Sequence, residues 1–365
     1  MGVSIKNLRR TFRSKSGASV AAVDGITLEL EDGEFLVILG PSGSGKTTLL
    51  RCIAGLEQAD EGEITINGRE IYSSTKKIWM PPEKRGLSMV FQSYALWPHM
   101  TVFDNVAYPL RVQRPRLSQS EIASKVERVL EMVGCEHLIK RYPGQLSGGQ
   151  QQRVAVARAI VAGSDVVLFD EPLSSIDARV REDLRKELVA LQAELGFTAI
   201  YITHDQTEAT VMGNRVAVLA DGKLQQLAPP RELYDRPNSA FVAQFIGAAN
   251  QFAGTVTSTT GGTVSIQSEV GVIRGRDAGF AAGEKVLAIV RPESFMLHAQ
   301  RPLDKQLNVW PCTVERSLFL GLCTEYLVRI GDVQVSVKSM DSGLADGSSQ
   351  GWLAVAPERV HVVKS

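Results

Sequence analysis

Phe35-Leu36-Val37-Ile38-Leu39 runs directly into Gly40-Pro41-Ser42-Gly43-Ser44-Gly45-Lys46-Thr47, and the stretch from Thr47 to Leu56 continues with the apolar spacing of a helix. A buried strand, a GxxxxGK[ST] turn and a helix, in that order, make a glycine-rich turn a phosphate-binding P-loop. The glycines let successive backbone N–H groups turn inward around phosphate oxygens, and the helix start adds the positive end of its dipole. In this pattern Lys46 bridges the outer two phosphates, the Thr47 hydroxyl is suited to Mg²⁺, and Thr48 belongs to the same helix start.

Outward from the P-loop, Asp165 to Glu171 (DVVLFDE) and Phe197 to His204 (FTAIYITH) read as two further buried strands. Amphipathic helical patterns alternate with such runs up to about residue 236, which predicts an α/β layer architecture. Asp170 and Glu171 end their strand at the carboxyl edge, where ligands of parallel sheets bind. Asp170 is suited to hold Mg²⁺ through water there, and Glu171 to polarise an attacking water. Leu146-Ser147-Gly148-Gly149-Gln150 opens another helix with Ser147 as its N-cap, so one chain carries a second helix start fit for an anion.

P-loop, acidic strand end and LSGGQ together resemble the ATP-binding cassette family, whose signature motif is LSGGQ. The resemblance covers residues 1–236 and implies a P-loop NTPase cassette with a helical subdomain at about residues 93–160, acting as an ATPase on ATP with Mg²⁺. It implies that Gly40 to Thr48 hold the nucleotide of one chain, while Ser147, Gly148, Gly149 and Gln150 complete the site of a second copy arranged head to tail. Gln92 resembles the glutamine that touches Mg²⁺ and the lytic water and hinges the helical subdomain. His204, in ITHDQTEA, resembles the histidine that contacts the γ-phosphate. Asp177, in Ser174-Ser175-Ile176-Asp177, resembles the aspartate that communicates across the dimer, with Ile176 where the family usually has Leu. Phe12 sits where the family places an aromatic on the adenine; its other reading is a plain core Phe.

Gln92 to Leu110 and Pro229 to Gly247 narrow the resemblance to ATPase subunits of bacterial importers fed by substrate-binding proteins. Residues 248–365 then look like the regulatory OB-type barrel of that group, on Val290 to Ser294 and Phe319 to Val328. The implied partners are a second copy, two transmembrane permease subunits and, indirectly, a periplasmic or lipoprotein substrate-binding protein. The implied place is peripheral, on the cytoplasmic face of the inner membrane. Ferric iron or a polyamine or phosphonate is the expected cargo; a sugar importer or an exporter subunit is the alternative, and the tail could bind a regulator. Trp97 and Met100 are candidates for apolar contacts with the permease, or else pack inside the helical subdomain.

Composition sets the outer limits. At 365 residues the chain has room for about two domains, and 44% hydrophobic with 22% charged residues is the composition of a folded globular protein. Lys and Arg number 40 against 40 Asp and Glu, 29 of each before residue 248 and 11 of each after it, so neither part has the basic excess of a nucleic-acid binder. The four cysteines form no CxxC pair, which speaks against a disulfide framework or zinc site and for a reducing compartment. No run reaches the ~20 apolar residues of a membrane span, and the first residues lack a signal peptide's apolar core. After a connecting stretch at 237–247, helical periodicity fades; Val333 to Lys338 alternates apolar and polar, and similar short runs predict a small all-β barrel. No repeat of 20 to 50 residues stands out, and two similar barrels within the tail are the open alternative.

Overall fold

A computed structural model describes residues 2–13, 19–174, 176–277, 279–340 and 350–365. It divides into two compact units, Met1–Pro230 and Arg231–Ser365. The first unit runs β1 (Val3–Arg13), β2 (Ser19–Leu30), β3 (Phe35–Leu39), α1 (Lys46–Ala54), β4 (Glu61–Ile66), β5 (Arg69–Ser73), β6 (Ile78–Trp79) and β7 (Leu87–Val90). It continues α2 (Val102–Val112), α3 (Gln119–Met132), α4 (Gly148–Ile160), β8 (Val166–Asp170), α5 (Ala178–Leu195), β9 (Thr198–Thr203), α6 (Gln206–Met212), β10 (Arg215–Ala220) and β11 (Lys223–Ala228).

Two sheets form in this unit. The first has the order β11-β10-β3-β9-β8-β7; its pairs from β10 to β7 are all parallel, and β11 is an antiparallel edge. All residues of β3, β8 and β9 are buried, the reason they read as unbroken apolar runs rather than alternating ones. The expected α/β cassette is therefore present, with the carboxyl ends of β3, β8 and β9 at one edge. The second sheet, β2-β1-β4-β5-β6, is antiparallel throughout and was not legible as a separate sheet in the sequence. Its inward residues, such as Ile5, Leu8, Ile26 and Ile64, share one core with α1 and the parallel sheet. Helices α2, α3 and α4 build a separate core from Val106, Leu110, Val126, Leu130 and Val154.

The second unit opens with α7 (Pro230–Asp235) and α8 (Ala240–Ile246), followed by β12 (Asn250–Thr260), β13 (Thr263–Ser268), β14 (Gly271–Arg276), β15 (Lys285–Val290) and β16 (Met296–His298). Then come β17 (Asn308–Phe319), β18 (Thr324–Ile330), β19 (Val333–Ser339), β20 (Gln350–Val355) and β21 (Val360–Lys364). The stretch 237–247, read as a connection, contains α8: Ser239 caps it through Val242 N–H, and Ala243 packs with Ile289 and Val363. Burial of that apolar face makes a helix where composition suggests a linker.

The tail sheets have the orders β14-β13-β12-β15-β21 and β19-β18-β17-β20-β16, and they close on one core that includes Phe252, Ile266, Trp310, Tyr326 and Leu353. Each half is a three-stranded meander, a fourth strand that returns to pair with the first, a single helical turn (Pro292–Ser294 or Pro357–Arg359) and a final strand. The final strands are exchanged: β16 pairs with β20 of the other half, and β21 pairs with β15. A structural repeat thus underlies the tail, the two halves interlocked rather than standing as two separate barrels.

Arg291 ties this unit together. It is 7% exposed, donates to the carbonyls of Tyr234, Ala243, Gly247 and Ala248, and lies 4.1 Å from the Tyr234 ring centroid. Those carbonyls include orphans at the end of α8, which a helix cannot satisfy by itself. Arg291→Ala should therefore destabilise the tail by roughly 2–4 kcal/mol, the cost of several buried acceptors left without a charged donor. A urea titration followed by tryptophan fluorescence checks this; an unchanged tail midpoint would contradict it.

Candidate functional site

Gly40 to Gly45 turn from β3 into α1, and two of these glycines have no room for a side chain. A Cβ on Gly45, whose φ is +96°, would stand 1.8 Å from the Ala22 carbonyl oxygen, and one on Gly40 would stand 2.4 Å from that of Leu219. Pro41, Ser42 and Gly43 are exposed, whereas Ser44 is buried and its Oγ has no hydrogen-bond partner among the described residues. Lys46 is 5% exposed; its Nζ donates to the carbonyls of Gly40 at 2.8 Å and Pro41 at 3.0 Å. Burial lowers its pKa, opposed by the nearby carboxylates of Glu171 and Asp170. A desolvated ammonium in a loop of inward-turned backbone is suited to an anionic ligand. No side chain caps α1, so its first N–H groups keep their donors.

Thr47 Oγ1 donates to Asp170 Oδ1 at 3.3 Å, joining the start of α1 to the end of β8. Asp170 is 8% exposed; burial raises its pKa, against the Thr47 bond and the charges of Arg51 and Lys46. Glu171 follows with φ at +47°, outside the region that non-glycine residues favour. Its N–H donates to the Ile202 carbonyl, and its Oε2 lies 3.1 Å from His204 Nδ1. Gln92 Nε2 donates to Ser174 Oγ at 3.2 Å, and Ser174 Oγ donates to the Glu171 carbonyl at 2.9 Å. Lys46, Thr47, Asp170, Glu171, His204 and Gln92, spread along the chain, thus meet at the carboxyl edge of the parallel sheet.

Other expected site residues lie apart from this cluster's hydrogen bonds. Ser147 caps α4 by accepting from Gln150 N–H, and the Gln150 side chain returns a bond to Ser147 N–H. Ser147 and Gly148 are exposed and Gly149 is half-buried. Asp177 caps α5 through Val180 N–H; its neighbour Ser175 lies outside the described residues. Phe12 is 39% exposed, with the Arg10 guanidinium 4.8 Å from its ring centroid. Trp97 packs against Tyr108 with ring centroids 4.5 Å apart and the planes tilted by 48°, and it is half-buried like Met100.

The sequence reading missed several positioning side chains. Ser174 bridges Gln92 to Glu171. Arg181 Nη2 donates to the Ile176 carbonyl at 2.7 Å and its Nη1 to Asp205 beside His204 at 3.4 Å. Asn105, fully buried, holds the loop at 97–101 by accepting from Trp97 N–H and donating to three carbonyls. Ser174 and Asn105 stand in stretches that carry the family resemblance, but an Asn or Arg inside a helical pattern signals nothing about which carbonyl it will reach.

Comparison with known proteins agrees with this architecture. Residues 23–174 match the ABC transporter family. The spermidine/putrescine import ATP-binding protein PotA 1 of Pseudomonas aeruginosa is 41% identical, over 99% of this chain and 96% of its own length. The trehalose/maltose import ATP-binding protein MalK of Thermococcus litoralis is 52% identical, over 68% of this chain and 64% of its own length. Among solved structures, the dimeric post-hydrolysis state of the ATP-binding cassette MJ0796 bound to ADP and Pi superposes with a TM-score of 0.54 at 33% identity, covering 62% of this chain and 98% of that one. With a strand-P-loop-helix, an acidic strand end and an LSGGQ helix start in one unit, and a relative matched along nearly its whole length, the chain belongs to the ABC transporter family as one of its ATP-binding ATPases.

Proposed function

We propose that this chain is the ATP-hydrolysing subunit of a polyamine importer, working as a head-to-tail pair beneath two membrane-spanning permease subunits. The observation that carries the reading is the meeting of Lys46, Thr47, Asp170, Glu171, His204 and Gln92 at one sheet edge. Gly40 to Thr48 bind the triphosphate, with Lys46 exchanging its two carbonyl bonds for the outer phosphates. The hard oxygens of Thr47 and Asp170, 3.3 Å apart, would hold Mg²⁺, Thr47 by its hydroxyl and Asp170 through water. Bound there, Mg²⁺ would neutralise phosphate charge. Glu171 takes the proton of the attacking water, and His204 orients its carboxylate and meets the γ-phosphate.

Ser147 to Gln150 and Asp177 act on the nucleotide held by the second copy, and Phe12 flanks the adenine. Support for the pair comes from the dimeric cassettes of related structure. No helix of the described residues is long and apolar enough to cross a membrane, so movement of a solute needs permease subunits. The half-buried Trp97 and Met100 near Gln92 face them at the cytoplasmic side of the membrane. A substrate-binding protein delivers the solute from outside.

The polyamine assignment rests on the tail. The PotA relative matches along it, whereas the more similar MalK relative aligns over only 247 residues. In the source organism, deleting the gene should abolish uptake of radiolabelled spermidine or putrescine and leave maltose uptake unchanged. Loss of maltose uptake with normal polyamine uptake would overturn the assignment in favour of a sugar importer.

A further inference from the structure

The segment after Gln92 holds two successive non-glycine residues in the left-handed region, Tyr94 at φ +60° and Ala95 at φ +48°. Such backbone persists only where its surroundings over-determine it. Within the turn the Tyr94 and Ala95 N–H groups donate to the carbonyls of Phe91 and Ser93, and one side chain holds the two carbonyls. From α4, Arg158 Nη1 donates to the Ala95 carbonyl at 2.8 Å and Nη2 to the Tyr94 carbonyl at 2.9 Å. Its guanidinium carbon also lies 4.8 Å from the Trp97 ring centroid, so one planar group grips two consecutive carbonyls and stacks on an aromatic face. Lysine lacks that geometry, because its ammonium is a point donor without a fork.

The two ends of this clamp matter. Arg158 stands on the helix that Ser147 caps, and the loop it grips begins at Gln92, whose amide reaches Glu171 through Ser174. We infer that Arg158 is a positioning residue that fastens the Gln92 loop to the helix starting at Ser147, so that the signature segment and Gln92 move as one body. The inference rests on the proposed roles of Gln92 and Ser147. It adds a specific link: displacement of α4 by the second copy is carried to Gln92 through two hydrogen bonds rather than through general packing. Without the clamp, Tyr94 and Ala95 relax out of the left-handed region and Gln92 loses its register beside Glu171. Nucleotide binding at the P-loop stays, because the polar partners of Arg158 are Tyr94 and Ala95 and its ring partner is Trp97, all outside the P-loop.

The test is steady-state ATPase kinetics of the full-length chain. Arg158→Ala should lower kcat by roughly 10- to 100-fold, the scale for misplacing a group near the chemistry, with the KM for ATP within about twofold. Arg158→Lys, which keeps the charge and one carbonyl bond, should fall between. Adding Ala95→Gly to Arg158→Ala should recover part of kcat, since glycine enters the left-handed region without steric cost; a merely structural role for Arg158 would give no such rescue. If Arg158→Ala fails to fold by circular dichroism, Arg158→Lys and its Ala95→Gly combination decide the matter. Wild-type kcat in a folded Arg158 variant, or a loss that Ala95→Gly leaves untouched, would overturn the clamp. Gln92→Ala separates the two layers: lowered kcat there with unchanged kcat in Arg158→Ala rejects the clamp alone, while unchanged kcat in Gln92→Ala rejects the underlying role of Gln92.

Discussion

Glu171→Gln should slow ATP hydrolysis by ~10²–10⁴-fold, the range for loss of a general base, and leave ATP binding intact. The amide keeps the shape of the carboxylate and a polar atom near His204 Nδ1, now 3.1 Å from Glu171 Oε2. It also keeps the backbone at φ +47°, because nothing in the main chain changes. What it loses is the ability to accept a proton from water. Binding without turnover should trap the closed pair, so size-exclusion chromatography with ATP should give a dimer that the wild-type chain forms only transiently. Wild-type turnover in a single-turnover assay would assign the base elsewhere, with His204 first in line.

Lys46→Ala should weaken ATP binding by about one to two powers of ten, equivalent to the ~1.5–3 kcal/mol of a hydrogen bond to a charged group. The Lys46 ammonium already has its desolvation cost met by the fold, being 5% exposed and bonded to the Gly40 and Pro41 carbonyls. Phosphate oxygens therefore replace neutral acceptors by anionic ones, and the gain is lost with the side chain. Isothermal titration calorimetry reads the change directly; unchanged affinity would reject the P-loop assignment of Lys46. The same variant tests the head-to-tail pair on a Glu171→Gln background. Lys46→Ala and Ser147→Arg homodimers each lack an intact site, while a mixed dimer collects both lesions in one site and leaves the other whole. ATP-dependent dimers should appear only in the mixture, and dimerisation of Ser147→Arg by itself would show that Ser147 does not complete a partner's site.

Features encoded within a few consecutive residues were open to reading before any fold was known. The P-loop is eight residues whose glycines, lysine and threonine act through local backbone geometry, and Ser147 and Gln150 cap α4 through each other. Strands β3, β8 and β9 announced themselves because a strand covered on both faces has no polar side to show. The acidic strand end was legible because Asp170 and Glu171 sit beside each other. Pairing was a different matter. The antiparallel sheet β2-β1-β4-β5-β6 and the exchange of β16 and β21 between the halves of the tail depend on partners far apart in sequence, and a strand's own residues do not say which edge it will meet. The helix at Ala240–Ile246 needed the burial of Ala243 against Ile289 and Val363 to exist at all. Arg158, Asn105 and Arg291 were silent for a further reason: each bonds backbone carbonyls, which every residue possesses, so no motif marks the target and only the packed chain brings donor and acceptor within reach.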